Sequence, residues 1–386
     1  MKTSCRNLFL LFIISFAVII VFQSCKEDSN PVTQVPDTSY EMKVTFAPIE
    51  VKSTDGKVNL MYSIETSNFE KEGYILKDFQ VLNSSNGNML CTINDTNKYL
   101  VILKPYTGAI PQNLFYYPLS NAHSTYCFLV GLALDPAQVP QKIKHKLVLL
   151  KGNEEKTIEG AETSVSKMEP LVFAAPLKGE RFMSANATTL LNNHHPKLSV
   201  LYKGITTIPE RYCIDWNKVD ATGNASHGDE SICENWYVFG QDVYSVATGE
   251  VVSVTDGMPD QSPVGTKSND LTMFNGTGNS VTLAVAGGYF TYGHMIKNSI
   301  MVKTGQVVTE GQLIGKVGNS GNSDAPHLHI GFHTDFPYYI SEGLPYYIDS
   351  FEKIGSVGET NNLIWLTNPQ QNTNKMVENY GIYNLK

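Results

Sequence analysis

At 386 residues the chain is too long for one ordinary core and reads as two domains behind an N-terminal address. Its 37 Asp and Glu outnumber 29 Lys and Arg, and no basic run follows any element, which argues against a nucleic-acid partner. Only 17% of residues are charged, and Gly, Asn, Thr, Val and Tyr sit between short apolar stretches, a pattern of strands rather than long amphipathic helices.

The first element is an address. Lys2 and Arg6 precede an apolar run from Leu8 to Phe22, the length of a signal-peptide core rather than of a comfortable membrane span. The run ends at Gln23-Ser24-Cys25, where a small residue before a cysteine suits cleavage and lipidation of Cys25, so that residues 1–25 are a lipoprotein signal peptide. Lys26-Glu27-Asp28 resembles the Lys-acid-acid signal of outer-surface lipoproteins. Residues 26–40, polar and Pro-containing, read as a flexible tether. The expected location is therefore the cell envelope, with the membrane as a partner through Cys25.

Residues 41–168 alternate with period two. Met42, Val44 and Phe46, then Val58, Leu60, Tyr62 and Ile64, then Ile143, His145, Leu147 and Leu149 face one way, as in half-buried antiparallel strands. Turn signals at Thr54-Asp55-Gly56 and Asn86-Gly87-Asn88 separate them, and an N-terminal β-sandwich follows. His123 and His145 are lone histidines among strand residues with no catalytic company. In an exported protein the four remaining cysteines are expected to pair within each half, Cys91 with Cys127 and Cys213 with Cys233.

The prolines and glycine between Met168 and Gly179 break the alternation and open a second domain, residues 169–386, which holds seven of the nine histidines. Its sharpest motif is Asn319-Ser320-Gly321-Asn322-Ser323-Asp324-Ala325-Pro326-His327-Leu328-His329-Ile330. A small-residue loop ends at Pro326 and a strand begins, on which His327 and His329 share a face and address one point. His333 reads as a surface residue. Val281–Val285 and Tyr289–Met295 flank Gly287-Gly288 as a hairpin whose second strand ends at His294. The glycine-spaced stretch Val302–Gly315 is scaffold, the polar segment from Thr255 to Asn279 is a cleft wall or lid, and the residues after the His-x-His strand add strands that close the sheet.

Together Gly240–Val252, Tyr292-Gly293-His294, the glycine ladder and His327-Leu328-His329 resemble the LytM (M23) zinc endopeptidases, over about Pro170 to Asp335. The resemblance implies an all-β molecule whose second domain is a small antiparallel-sheet, barrel-sandwich-like enzyme, with Zn2+ as cofactor and peptidoglycan peptides as substrate. It implies His329 as a zinc ligand and His327 and His294 as catalytic histidines that handle the water and the developing oxyanion. The family pattern has a histidine four residues before a ligating aspartate. Asp215 fits the aspartate, but Arg211 stands in the histidine's place, and a guanidinium cannot ligate zinc. A divergent branch carries a histidine pair upstream, which matches His194-His195, so His195 is the favoured ligand, His194 the alternative, and His227 a third candidate. The rival reading is a catalytically degenerate domain that binds peptidoglycan or activates a cell-wall amidase, with Arg211 as its support. A lipoyl-like carrier is disfavoured because no exposed acceptor lysine sits at a hairpin tip.

Overall fold

The computed structural model describes residues 40–93, 100–103, 125–188, 193–195, 198–202, 205–272, 274–358 and 362–386. Cys25 with the whole signal and tether through Ser39, and also His123, lie outside the described residues. Nearly every element is a strand, with a few short 3-10 turns and no α-helix among the described residues. None of the described residues forms a helix long and apolar enough to cross a membrane.

The first half builds two antiparallel sheets. One pairs Lys43–Phe46, Val58–Ser67, Thr125–Leu134 and Leu100–Leu103, with Val51–Lys52 on its flank. The other runs Met89–Thr92, Ile75–Asn83, Lys142–Lys151, Glu154–Ser164. Leu60, Tyr62, Ile64, Phe128 and Val130 of the first sheet share one core with Phe79, Val81, Ile143 and Leu147 of the second, and Phe79 stacks on Phe128 with ring centroids 4.2 Å apart.

The central strands of the first sheet are not half-buried, contrary to the alternation. Val58 through Ile64 is buried at every position, and Met61, Cys127 and Leu129 on the outer face join the larger core of the second half. That face is covered by protein, so its polar positions, Asn59 and Ser63, are buried too.

In the second half one twelve-stranded sheet has a path of ten strands, Leu171–Phe173, Tyr346–Val357, Gly381–Leu385, Gly179–Ala185, Ile214–Lys218, Leu328–His333, Gly288–Met295, Asn279–Val285, Gly249–Thr255, Val307–Val308, with Gly343–Leu344 and Leu363–Lys375 paired off it. Leu363–Lys375 pairs with Tyr346–Val357, so the C-terminal residues do add strands to the sheet. The expected hairpin forms between Asn279–Val285 and Gly288–Met295, and Gly287 supplies the left-handed φ of 81° that its turn needs. His333 is fully buried and not a surface residue, because its strand is paired on both sides to its last residue, with Tyr289 and with Gly343.

The expected disulfides do not form among the described residues. Cys91 faces the first core whereas Cys127 points from the opposite face of its sheet into the second. Cys213 lies under Gly331, where an added Cβ would stand 2.2 Å from its sulfur, while the Cys233 sulfur packs 3.3 Å from the Gln261 carbonyl. Each thiol is committed to its own surroundings.

Candidate metal centre

Antiparallel pairing of Ile214–Lys218 with Leu328–His333 sets Asp215 directly opposite His329, and the next strand sets Gly293, beside His294, opposite His329 on its other side. Three neighbouring strands therefore deliver Asp215, His329 and His294 to one cleft, and His327, two residues before His329, joins them on the same face. Asp215 lies at the centre. Its Oδ1 is 2.9 Å from His329 Nδ1 and 3.4 Å from His327 Nε2, and its Oδ2 is 3.2 Å from His195 Nε2.

His195 reaches this point from a short non-strand segment. Asn193 Oδ1 accepts its backbone N–H at 2.9 Å, and its ring Nδ1 lies 3.3 Å from the Cys213 carbonyl. The ring is fully buried and stands edge-on to His329, centroids 4.9 Å apart. His194 packs against His195 at 4.5 Å, is itself exposed and lines the cleft, and groups with His195 and Asp215. His227 is not brought to the cleft; it is exposed and lies beside Tyr237.

Arg211, which stands at the place of the missing histidine, turns away from the cleft altogether. Its Nε donates to Glu342 Oε1 at 2.7 Å, its Nη2 donates to Ser63 Oγ at 2.6 Å, and its guanidinium lies 4.4 Å from the Phe46 ring centroid. It is a buried link to the first half, and no charge from it blocks the site.

The back of each imidazole shows which nitrogen it offers. His195, His294 and His327 each place Nδ1 against a backbone carbonyl, of Cys213 at 3.3 Å, Ser320 at 2.7 Å and Ala325 at 2.7 Å, so each donates Nδ1–H and presents Nε2. His329 is reversed, with Nδ1 toward Asp215. Burial alone would raise the Asp215 carboxyl, but the neighbouring His195 and His327 imidazoles outweigh it and hold it well below the usual carboxylate range. Burial pushes His195 down, and the Asp215 carboxylate more than compensates, lifting it to about 9. His327 is raised on the same balance. His294 is driven well below an ordinary histidine by burial and by the neighbouring His327 and His329 charges.

A divalent cation fits this donor set. His195 Nε2 is buried without a hydrogen-bond partner although 3.2 Å from a carboxylate oxygen. His195 Nε2 and His329 Nδ1 both meet the Asp215 carboxylate. The group of His194, His195 and Asp215 and that of His294, His327 and His329 each bring three ligand atoms within 4.8 Å of one another, and two imidazoles with one carboxylate suit zinc by ligand type and number.

Three features of the cleft escaped the sequence reading. Asn186 donates to Asp215 Oδ2 at 2.8 Å and fixes the carboxylate plane. Glu210 lines the cleft beside His329. Tyr338 and Tyr339 form a wall facing Gly276 and Thr277 of the long polar loop, and Phe274 of that loop meets Tyr339 edge-on at 4.9 Å. The loop is thus a cleft wall, further tied to the site because Thr277 accepts the His294 backbone N–H at 2.8 Å.

Residues 237–338 match the model of Peptidase family M23. The match includes His294, His327 and His329 and begins after Asp215. No curated protein matches the chain. Among solved structures, similarity extends to the catalytic domain of the antimicrobial peptidase lysostaphin from Staphylococcus simulans, at 22% identity over 31% of this chain and 86% of that one, with a TM-score of 0.20. A zinc-containing peptidase from Vibrio cholerae aligns at 12% identity over 76% of this chain and 83% of its own, with a TM-score of 0.23. Csd3 of Helicobacter pylori aligns at 13% identity over 76% of this chain and 73% of its own, TM-score 0.24. At such TM-scores these likenesses carry no weight for the chemistry.

Proposed function

We propose that this protein, whose residues 237–338 match the model of peptidase family M23, is a zinc-dependent endopeptidase that hydrolyses peptide bonds of peptidoglycan in the cell envelope. The observation that carries the proposal is the placement of Asp215 between His195 and His329, with His327 and His294 on the same side of the cleft.

In this reading His195 through Nε2, Asp215 through its carboxylate and His329 through Nδ1 hold the zinc. When bound, zinc supplies a Lewis acid for the scissile carbonyl and lowers the pKa of a water to about 7. His327 presents Nε2 to the cleft with its Nδ1–H anchored on Ala325, so it accepts a proton from the attacking water and returns it to the leaving amine. His294 is held by Ser320 in the same way, with its Nε2 facing the cleft, where, once protonated, it would donate to the oxygen on which negative charge develops. Tyr338, Tyr339, Gly276 and Thr277 bound a groove in which an extended peptide lies. A catalytically degenerate binding module finds no support in Arg211, because that side chain serves the joint with the first half and takes nothing from the site.

The proposal extends to the rest of the chain. We infer that residues 41–168 are an N-terminal domain packed on 169–386, sharing part of its core, and that Cys25 is lipidated and anchors the protein at the envelope. Cys25→Ser is expected to move the protein from the membrane to the soluble fraction; lipid-labelled variant in the membrane would refute the anchor.

The activity test is incubation of zinc-loaded protein with purified peptidoglycan and detection of new amino termini, with His327→Ala as control. The expected outcome is release that falls about 10²- to 10⁴-fold in the variant while its zinc content is unchanged. Release by the intact protein no greater than by the variant would return the function to binding.

A further inference from the structure

Of the imidazoles grouped around Asp215, His195, His294 and His327 are secured from behind by backbone carbonyls at Nδ1. His329 has the opposite orientation: its Nδ1 faces Asp215 at 2.9 Å, and its rear nitrogen, Nε2, is buried without a hydrogen-bond partner. The group facing that nitrogen is Glu210, whose Oε1 lies 3.8 Å away. Glu210 is itself 8% exposed, and a carboxylate buried to that extent requires a donor or a cation.

The turn that carries Glu210 is held from its other side. Arg211 N–H donates to the Ile208 carbonyl at 3.1 Å, and Cys213 N–H to the Glu210 carbonyl at 3.2 Å, so the chain reverses twice before the strand of Asp215 begins. The next two side chains point into the first half of the molecule, Arg211 to Ser63 and Glu342, and Tyr212 to the Met61 carbonyl at 3.2 Å. With those two anchored outward, Glu210 is left directed into the cleft.

We propose that Glu210 is a positioning residue of the metal centre, accepting the Nε2–H of His329 and so keeping Nδ1 turned toward Asp215 as the ligating nitrogen. A ligating histidine generally gives its second ring N–H to a carboxylate, carbonyl or water, which fixes tautomer and orientation. His329 lacks the carbonyl that its three neighbours have, and Glu210 supplies the acceptor. The proposal rests on the reading of the cleft as a zinc site. It also gives the first half of the molecule a part in that site, since Ser63, Met61 and Phe46 steady the turn from which Glu210 projects.

The test is zinc affinity, measured by chelator competition on the full mature chain, for the parent protein, Glu210→Ala and Glu210→Gln, with visible spectra of the cobalt-substituted forms. Glu210→Ala is expected to weaken zinc binding about 10- to 100-fold. Glu210→Gln retains an acceptor oxygen and is expected to restore most of that loss. The cobalt spectrum should be the same in the parent and Glu210→Gln, because the ligand set does not change. Should Glu210→Ala fail to fold, Glu210→Leu removes the acceptor while keeping bulk at the turn and takes its place. Three results overturn the proposal: unchanged affinity in Glu210→Ala, no recovery in Glu210→Gln, or a cobalt spectrum altered by Glu210→Gln, which would make Glu210 a ligand. A parent protein that binds no zinc defeats the zinc reading itself, visibly and before any variant is compared, and this proposal with it.

Discussion

In the first half of the molecule His145 is fully buried, with Nε2 2.9 Å from the Tyr62 hydroxyl and Nδ1 3.1 Å from the Ala161 carbonyl. Both ring nitrogens are engaged, and among the described residues no carboxylate is bonded to either. In the second half His195 and His329 are buried as deeply, yet each keeps an Nε2 without a hydrogen-bond partner, and both converge on the Asp215 carboxylate. Burial does not separate a structural histidine from a functional one, since all three are buried. What separates them is completeness: a partnered imidazole completes a core, whereas buried ring nitrogens left without a partner persist only where something else completes them.

The largest break in this contrast is expected from Asp215→Ala. Removing the shared carboxylate should abolish stoichiometric zinc binding and lower peptide release at least about 10³-fold, as read by metal analysis and by new amino termini. Full zinc occupancy in this variant would mean that the histidines are ligands without it.

The joint between the halves comes next. Arg211 and Glu342 form a buried pair, and burial raises the Glu342 carboxyl while Arg211 pulls it back. Arg211→Met leaves that carboxylate buried and unpaired and should cost about 3–5 kcal/mol of stability by denaturant unfolding. A loss below 1 kcal/mol would show that the pair behaves as a solvated one.

A smaller effect sharpens the contrast from the structural side. Burial holds His145 down at about 4, against 6.5 for an ordinary histidine. The folded state therefore resists a proton that the unfolded chain accepts. The associated stability is complete above pH 6.5 and is lost as pH falls from there toward about 4, by about 3 kcal/mol in all. Unfolding free energies of the parent and of His145→Gln across this window should differ in slope, with the variant flatter. Parallel curves would contradict the assignment.

Period-two alternation made much of this legible. It gave the strand class of both halves, the shared face of His327 and His329, and the hairpin ending at His294, because each depends on spacing within one strand. It failed where a second layer intervenes. Reading Tyr126, Phe128 and Val130 as one face would have set Cys127 on the other, away from Cys91, but nothing local shows that the other face is also covered. Glu210 was hidden for a related reason. It precedes Arg211 in a double turn, where adjacent side chains part to opposite sides and periodicity has no meaning. Asn186 and the tyrosine wall come from segments far apart in sequence that only the sheet order brings together.

The central claim is that His195 takes the place left by Arg211, and metal content tests it most directly. Purified protein from Lys26 onward should hold one zinc per chain. His195→Ala should lose it, and His194→Ala, whose ring is exposed, should retain it. Zinc retained by His195→Ala and lost by His194→Ala would contradict the account, as would a parent protein that binds none.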